Sequence, residues 1–387
     1  MINVISGISV VAIAFATMAM VVVLSAFNGI EGLVDDLYSS FDADIEVRAK
    51  KGKVFHEDSL DIGAIKDLKT VEGLSRTIEE NALLKHEGDH VIATVKGIEP
   101  SFFEFSGLDT MIISGDSRLK GKKGNPRVVL GLGIKKELKV PVRSGFPSKI
   151  DISAPDRKKV IHRYKQRAFR NKEALVGGVF SVNVDFDSRY ILASLPFSSK
   201  LFNYEEQWSA LAIDIPKGVD FQQAKKRIQK VAGPKFKVRT RYEKNRLLYK
   251  TNRTEKWITF LILSFILIIA TFNIIASLTM LIIEKKDDIK ILQGMGAAKR
   301  TIRRIFFMEG LMINLFGGLL GIILGILLCI AQKTWGLVSL RNAVVAHYPI
   351  ELHGGDIFAV FGIVIVIGLI SASFPVRLLT RKYFRAR

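Results

Sequence analysis

The chain has 387 residues, 49% of them hydrophobic and 24% charged, and a formal net charge of +20. Its one cysteine, Cys329, excludes an intrachain disulfide, so cysteine usage reports no compartment. The basic balance is not joined by any RNA- or DNA-binding motif; lysines and arginines beside apolar stretches serve lipid head groups and topology instead.

A membrane crossing needs about 20 consecutive, predominantly apolar residues. The first such window, Met1 to Phe27, has no charged side chain before Glu31. A cleaved signal peptide would open with a positively charged segment and be followed by an A-x-A-like site; this window has no such segment and no such site follows it. The inserted segment 28–256 follows. The second window, Trp257 to Ile283, lies between Lys256 and Glu284, and the third, Leu311 to Gln332 within a span of 306–332, precedes Lys333. The fourth, Ile357 to Val376, lies between Asp356 and Arg377. A buried helix of a soluble protein usually shows a polar stripe, which these lack. At 1.5 Å per residue the second window is about 40 Å long, against a hydrocarbon core of about 30 Å. That helix is expected to tilt or to run on toward the domain before it, and so to transmit force.

Orientation follows the cationic bias of short loops. The 284–305 loop carries Lys285, Lys286, Lys290, Lys299, Arg300, Arg303 and Arg304, and the 377–387 tail adds Arg377, Arg381, Lys382, Arg385 and Arg387. The 333–356 loop has only Lys333 and Arg341. Both termini and the 284–305 loop are therefore expected in the cytoplasm, and 28–256 on the other side. A basic run from Lys235 to Lys256 opposes this, but long domains translocate regardless of charge.

The inserted segment reads as α+β: a subdomain split between about 43–105 and 207–242, with a β-rich insertion at about 106–206. Strands are expected at Asp44–Arg48, Ser209–Ile215 and Phe236–Arg241, and helices at Ser59–Leu68 and Phe221–Val231. Ala82–Lys85 and Val91–Lys96, joined by Glu87-Gly88-Asp89, have hairpin chemistry.

His86-Glu87-Gly88-Asp89-His90 matches the H-E-x-x-H zinc pattern, which needs both histidines on one helical face. With Gly-Asp inside and β-formers around it, a turn is expected and no metal site. No P-loop and no Gly-x-Ser-x-Gly elbow occurs, so any ATP is hydrolysed by a partner and no cofactor is expected here. Gly317, Gly321 and Gly325 line one face of the third span and allow close helix approach, and Asn273 and Asn314 are expected to hydrogen-bond across helices. Between the second and third spans, Ile289, Ile291, Leu292 and Met295 give a short amphipathic helix ended by Gly294 to Gly296. It is either a surface helix on lipid or a docking helix for a cytoplasmic partner.

Phe272-Asn-Ile-Ile-Ala-Ser-Leu-Thr-Met-Leu281, Glu284-Lys-Lys-Asp-Asp-Ile-Lys-Ile-Leu-Gln-Gly-Met-Gly-Ala297 and Ile302-Arg-Arg-Ile-Phe-Phe-Met-Glu-Gly310 resemble the FtsX-like/MacB-type ABC permeases. So do Val21-Val-Val-Leu-Ser-Ala-Phe-Asn-Gly29 and Gly177-Gly-Val-Phe-Ser181, in a layout most similar to the lipoprotein-releasing LolC/LolE branch. The resemblance implies a bacterial inner-membrane subunit that extracts acylated lipoproteins for a periplasmic chaperone. A separate ATPase dimer, binding ATP and magnesium, would dock at Asp287, Asp288, Ile289, Ile291, Leu292, Met295, Gly296 and Ala297. A second permease subunit is implied as well, with acyl chains between spans one and two, for which Leu24, Phe27, Phe260 and Phe265 are the candidates here. Family members carry a cytoplasmic segment before the first span; this sequence opens within the span, as an incomplete gene model or a short natural start. The chaperone-recruiting hairpin would fall near Lys158 to Lys172, which is basic and lacks proline, so chaperone capture by this subunit is in doubt. Within the superfamily the alternatives are a cell-wall-hydrolase regulator and an efflux permease. From other classes come a membrane zinc protease using His86, Glu87 and His90, and a plain membrane-anchored binding domain.

Overall fold

The computed structural model describes residues 2–121, 124–142, 148–155, 169–340 and 347–383, with side chains from residue 6 to 376 within those stretches. The segment of the expected chaperone hairpin between 156 and 168 lies outside the described residues. Backbone polar groups have no water to bond in hydrocarbon, so spanning segments close their hydrogen bonds internally as helices. Among the described residues four helices are long and apolar enough to cross a membrane: α1 Ile2–Phe41, α2 Arg246–Glu284, α3 Lys299–Trp335 and α4 Gly354–Tyr383. All four outrun their apolar windows, because the flanking residues keep helical propensity after hydropathy falls. The chain forms two units, Met1–Leu33 with Leu247–Arg387, and Val34–Arg246.

In the helical unit, α3 packs where its side chains are smallest. A Cβ on Gly321 would strike the Ala14 carbonyl and Thr17, one on Gly317 the Val10 carbonyl and Ile13, and one on Gly325 Val21. The three glycines thus seat α1 against α3. Elsewhere on α3, Gly310 faces Leu278 and Ala372, and Gly318 faces Val364. Asn314 is fully buried and its Nδ2 donates to the Val364 carbonyl of α4 at 2.7 Å. Asn273, expected to make a similar bond, stands at an exposed position instead. The sequence pattern fixes that it is polar but not which way α2 turns it.

The second unit is built on one ten-stranded sheet. Its strands are β1 Ile45–Ala49, β2 Gly73–His86, β3 Asp89–Ile98, β4 Ile112–Gly115 and β5 Arg127–Gly131. They continue with β6 Lys149–Pro155, β7 Phe169–Phe180, β8 Tyr190–Ser194, β9 Ala210–Asp214 and β10 Phe236–Thr240. The order is β10-β1-β9-β2-β3-β8-β5-β7-β4, with β6 pairing β2 and β7. The β2–β3 hairpin is the spine. It turns at Glu87 (φ 46°) and Gly88 (φ 99°), both left-handed as a two-residue hairpin turn requires. β2 carries β9 on one side, while β3 accepts β8 in parallel, so strands from about 106–206 join the same sheet as those flanking them. The helix Phe221–Ala232, capped by Asp220, covers β1 and β10 through Ala224 and Ile228.

Where α1 ends, a buried ionic cluster takes over. Lys96 on β3 is 2% exposed; its Nζ donates to the Phe41 carbonyl at 2.5 Å and lies over the Phe41 and Phe102 rings. Glu79 is 3.8 Å from it and also binds Arg48. Asp42 accepts from Lys244 at 2.7 Å and from Asn245 at 3.0 Å, and Arg241 bonds both Asp35 and Asp44. Burial pushes the Glu79 carboxyl up, but Lys244, Lys96 and Arg48 outweigh it and bring it down to about 2. Burial likewise pushes Lys96 down, to about 8, despite Glu79 and Asp42.

Two predictions follow from these contacts. Gly321→Leu is expected to cost about 1–3 kcal/mol by forcing α1 off α3, read as a lowered melting temperature of the detergent-solubilised chain; an unchanged melt would refute the packing. Because the folded Glu79 titrates below its ordinary value of 4.5, its contribution is complete above that pH and is lost as pH falls toward about 2. Glu79→Gln is therefore expected to cost roughly 3 kcal/mol at neutral pH and to flatten the stability loss between pH 4.5 and 2. Equal acid sensitivity of the two proteins in pH-resolved melts would count against the cluster.

Candidate functional site

Between α2 and α3 the chain forms a nine-residue helix, Lys286–Gly294. Asp287 and Asp288 occupy its first turn, where the helix dipole favours negative charge. Lys290 bonds Asp287 and Lys285 bonds Asp288, each at 2.9 Å. Its Lys290 partner holds the Asp287 carboxyl below the usual range. The helix stops at Gly296, whose φ of +88° suits glycine, and the Ala297 N–H closes back on the Leu292 carbonyl at 2.9 Å. The apolar residues of this segment divide. Ile289 and Ala297 pack on the helical core beside Ile302 and Phe306. Ile291, Leu292 and Met295 are 63%, 39% and 79% exposed. The segment is thus pinned on one side and presents an apolar knob with carboxylates beside it on the other.

At the opposite end of the helical unit, Leu24 is buried with Met20, Val21, Ile322 and Val360, and Phe260 packs against that cluster. Phe27 is half-buried and Phe265 is exposed, so the four candidate cavity residues do not share one surface. Leu24 and Phe260 alone among them line a cavity there, of about 390 Å³. A polar lock beside it escaped the sequence reading: Lys256 Nζ donates to Asn28 Oδ1 at 2.7 Å and to Asp356 at 2.9 Å, and Asn28 Nδ2 donates to Asp356 at 2.7 Å. The neighbouring Gly29 has no room for a Cβ, because the Pro349 carbonyl lies against it. The Phe27-Asn28-Gly29 run was the available signal, but its partners stand more than 200 residues away.

The H-E-x-x-H residues form the β2–β3 turn, with Lys85 opposite His90 and His86 opposite Asp89. His86 Nδ1 is bonded to the Lys149 carbonyl at 2.9 Å. Among the described residues no group of three or more His, Cys, Asp or Glu side chains could hold a metal.

Two family descriptions match the chain: MacB-like periplasmic core domain over residues 6–231, and FtsX-like permease C-terminal over residues 260–384. The lipoprotein-releasing system transmembrane protein LolE of Haemophilus influenzae is 23% identical, over 96% of this chain and 91% of its own length. LolC of Neisseria meningitidis serogroup B, which carries the same system's name, is also 23% identical over 96% and 91%. The extracellular domain of the ABC-type transporter YknZ from Gram-positive bacteria aligns with 51% of this chain and 99% of its own, at 11% identity and a TM-score of 0.37. Four spans with a large domain inserted after the first, and two family matches that between them cover most of the sequence, make this chain a member of the FtsX-like permeases that carry a MacB-like periplasmic core domain.

Proposed function

We propose that the chain is the non-catalytic permease subunit of an ABC-type complex that releases lipoproteins from the bacterial inner membrane. The observation that carries this is the knob of Ile291, Leu292 and Met295 on a capped helix between two spans, in a chain similar over nearly its whole length to proteins named for lipoprotein release. Three adjacent apolar side chains exposed beside carboxylates suit a protein partner, and a cytoplasmic ATPase dimer is the partner that supplies energy to a chain without a P-loop.

In this reading both termini and the 284–297 segment face the cytoplasm and the 34–246 unit faces the periplasm. ATP and magnesium are held by the ATPase, whose closure acts on the 287–297 segment and passes along α1 and α2. The face of α2 that carries Leu261, Phe265, Ile268 and Phe272 is exposed, which leaves it available to a second permease subunit and to acyl chains. Lifting a lipid chain into water costs about 0.8 kcal/mol per CH₂, so extraction needs both an apolar shelter and outside energy. A periplasmic chaperone would take the released lipoprotein.

The test is affinity purification of the tagged full chain in mild detergent, beside an Ile291→Asp/Leu292→Asp variant. An ABC ATPase and acylated lipoproteins are expected with the parent chain. Two carboxylates forced into an apolar contact should weaken ATPase binding at least about 100-fold, removing it from the variant. Equal ATPase recovery from both would overturn the docking assignment, and ATPase without lipoproteins would overturn the substrate.

A further inference from the structure

The basic run from 235 to 256 finds no use in the function above. The structure divides it. Arg241 and Lys244 belong to the buried cluster, and Lys256 to the lock with Asn28 and Asp356. Lys250 and Arg253 remain exposed, three residues apart and hence on one face of α2. Among the described residues no carboxylate forms an ion pair with either.

Arg253 lines the same 390 Å³ cavity as Leu24 and Phe260. The apolar part of its wall is Leu24, Trp257, Phe260 and Ala359. Of its charged residues, Lys256 and Asp356 neutralise each other, which leaves Arg253 as a cation and Glu31 as an anion, both exposed. Trp257, 60% exposed, is the first residue of the apolar window, where an indole marks the boundary between hydrocarbon and water. The cavity therefore sits at head-group depth, with one free charge of each sign above an apolar floor.

We propose that this cavity binds the head group of a zwitterionic, amine-bearing glycerophospholipid. Its phosphate lies on Arg253, with Lys250 one turn back along the helix, and its ammonium on Glu31. The glycerol end rests on Leu24, Trp257 and Phe260 while the acyl chains remain in the bilayer. An anionic head group would be repelled by Glu31, and a neutral diacylglycerol would leave both charges unanswered. A guanidinium binds phosphate through paired, charge-assisted hydrogen bonds, which suits Arg253 to the stronger contact. The site depends only on α1, α2 and α4 crossing a membrane together, so it stands or falls separately from lipoprotein release.

The full chain, stripped of lipid by detergent exchange, would be titrated with phosphatidylethanolamine, phosphatidylglycerol and diacylglycerol and read by native mass spectrometry. Phosphatidylethanolamine is expected to bind most tightly. Arg253→Gln should weaken it about tenfold, the loss of one charge-assisted bond. Glu31→Gln should weaken phosphatidylethanolamine and strengthen phosphatidylglycerol, by removing the charge that repels it. Lys51→Gln, which removes a cation from an exposed turn of the other unit, should change neither. Free O-phosphoethanolamine should compete only at far higher concentration than the lipid. Equal phosphatidylethanolamine binding by the parent chain and Arg253→Gln, or diacylglycerol binding as tightly as phosphatidylethanolamine, would overturn the proposal. Free O-phosphoethanolamine matching the lipid in affinity would also overturn it, in favour of a site for a soluble solute.

Discussion

The helical unit depends on how closely α1 and α3 approach. Lipid tails are as apolar as leucine, so bringing two helices together in a bilayer releases no hydrophobic free energy; dispersion contacts and hydrogen bonds must hold them. Removing the Cβ at Gly317, Gly321 and Gly325 lets the α1 backbone reach α3 directly, as the Val10, Ala14 and Met18 carbonyls against those glycines show. With α1 seated there, α3 can offer Gly310 and Gly318 elsewhere to α2 and α4, and Asn314 can bond across to α4. The consequence is asymmetry. α3 buries the face that carries Asn314, Gly317, Gly318, Gly321 and Gly325, whereas α2 touches its neighbours through Leu267, Ile274 and Leu278 and leaves much of its apolar surface uncovered.

Charge obeys the same need for a partner, at higher stakes. Taking Lys96 out of water is costly, and the cost is met only because a helix-terminal carbonyl, two carboxylates and two aromatic faces surround its ammonium. Removing any one of these leaves a buried charge short of compensation, so the last turn of α1 and the Arg241–Asn245 segment are held to the sheet by an all-or-none arrangement. The Asn28–Lys256–Asp356 lock works alike among α1, α2 and α4. The exposed pairs on the 286–294 helix differ in kind: ion pairs in water contribute little, and those carboxylates remain available to another molecule.

Hydropathy made the four crossings legible because hydrocarbon imposes a length and excludes charge, and turn chemistry made the Glu87-Gly88 hairpin legible because two left-handed residues are rarely tolerated elsewhere. The helix ends were not legible. Hydropathy marks the membrane and not the helix, so α1 continues through Glu31, Asp35 and Asp36 to Phe41, and α2 begins at Arg246. Pairings distant in sequence, such as parallel β3–β8 and the contact of β2 with β6, follow from tertiary fit that local pattern does not encode. In the candidate site, helical spacing identified the 286–294 helix, but treating its apolar residues as one face missed that Ile289 turns toward the helical core. Asn28 was within view as part of a recognisable run, and only the fold supplies Lys256 and Asp356.

Exposed apolar side chains mean different things in different places, and their distribution separates the roles of the chain. On α2, exposed Phe265 and Phe272 meet hydrocarbon or another helix, so their exposure costs nothing in a membrane. In the sheet unit Ile92, Ile113 and Val184 stand singly on separate elements, as scattered apolar residues do on any protein surface. Ile291, Leu292 and Met295 lie outside the four apolar windows and are not scattered. They are adjacent, carried on a helix closed by Gly296 and anchored through Ile289 and Ala297, so the backbone is already ordered before a partner arrives. A surface ordered in advance avoids the entropic cost of ordering it on binding. Under the proposed function, anchoring through Ile289 and Ala297 is the property required of a contact that must receive mechanical work and not merely tether a partner.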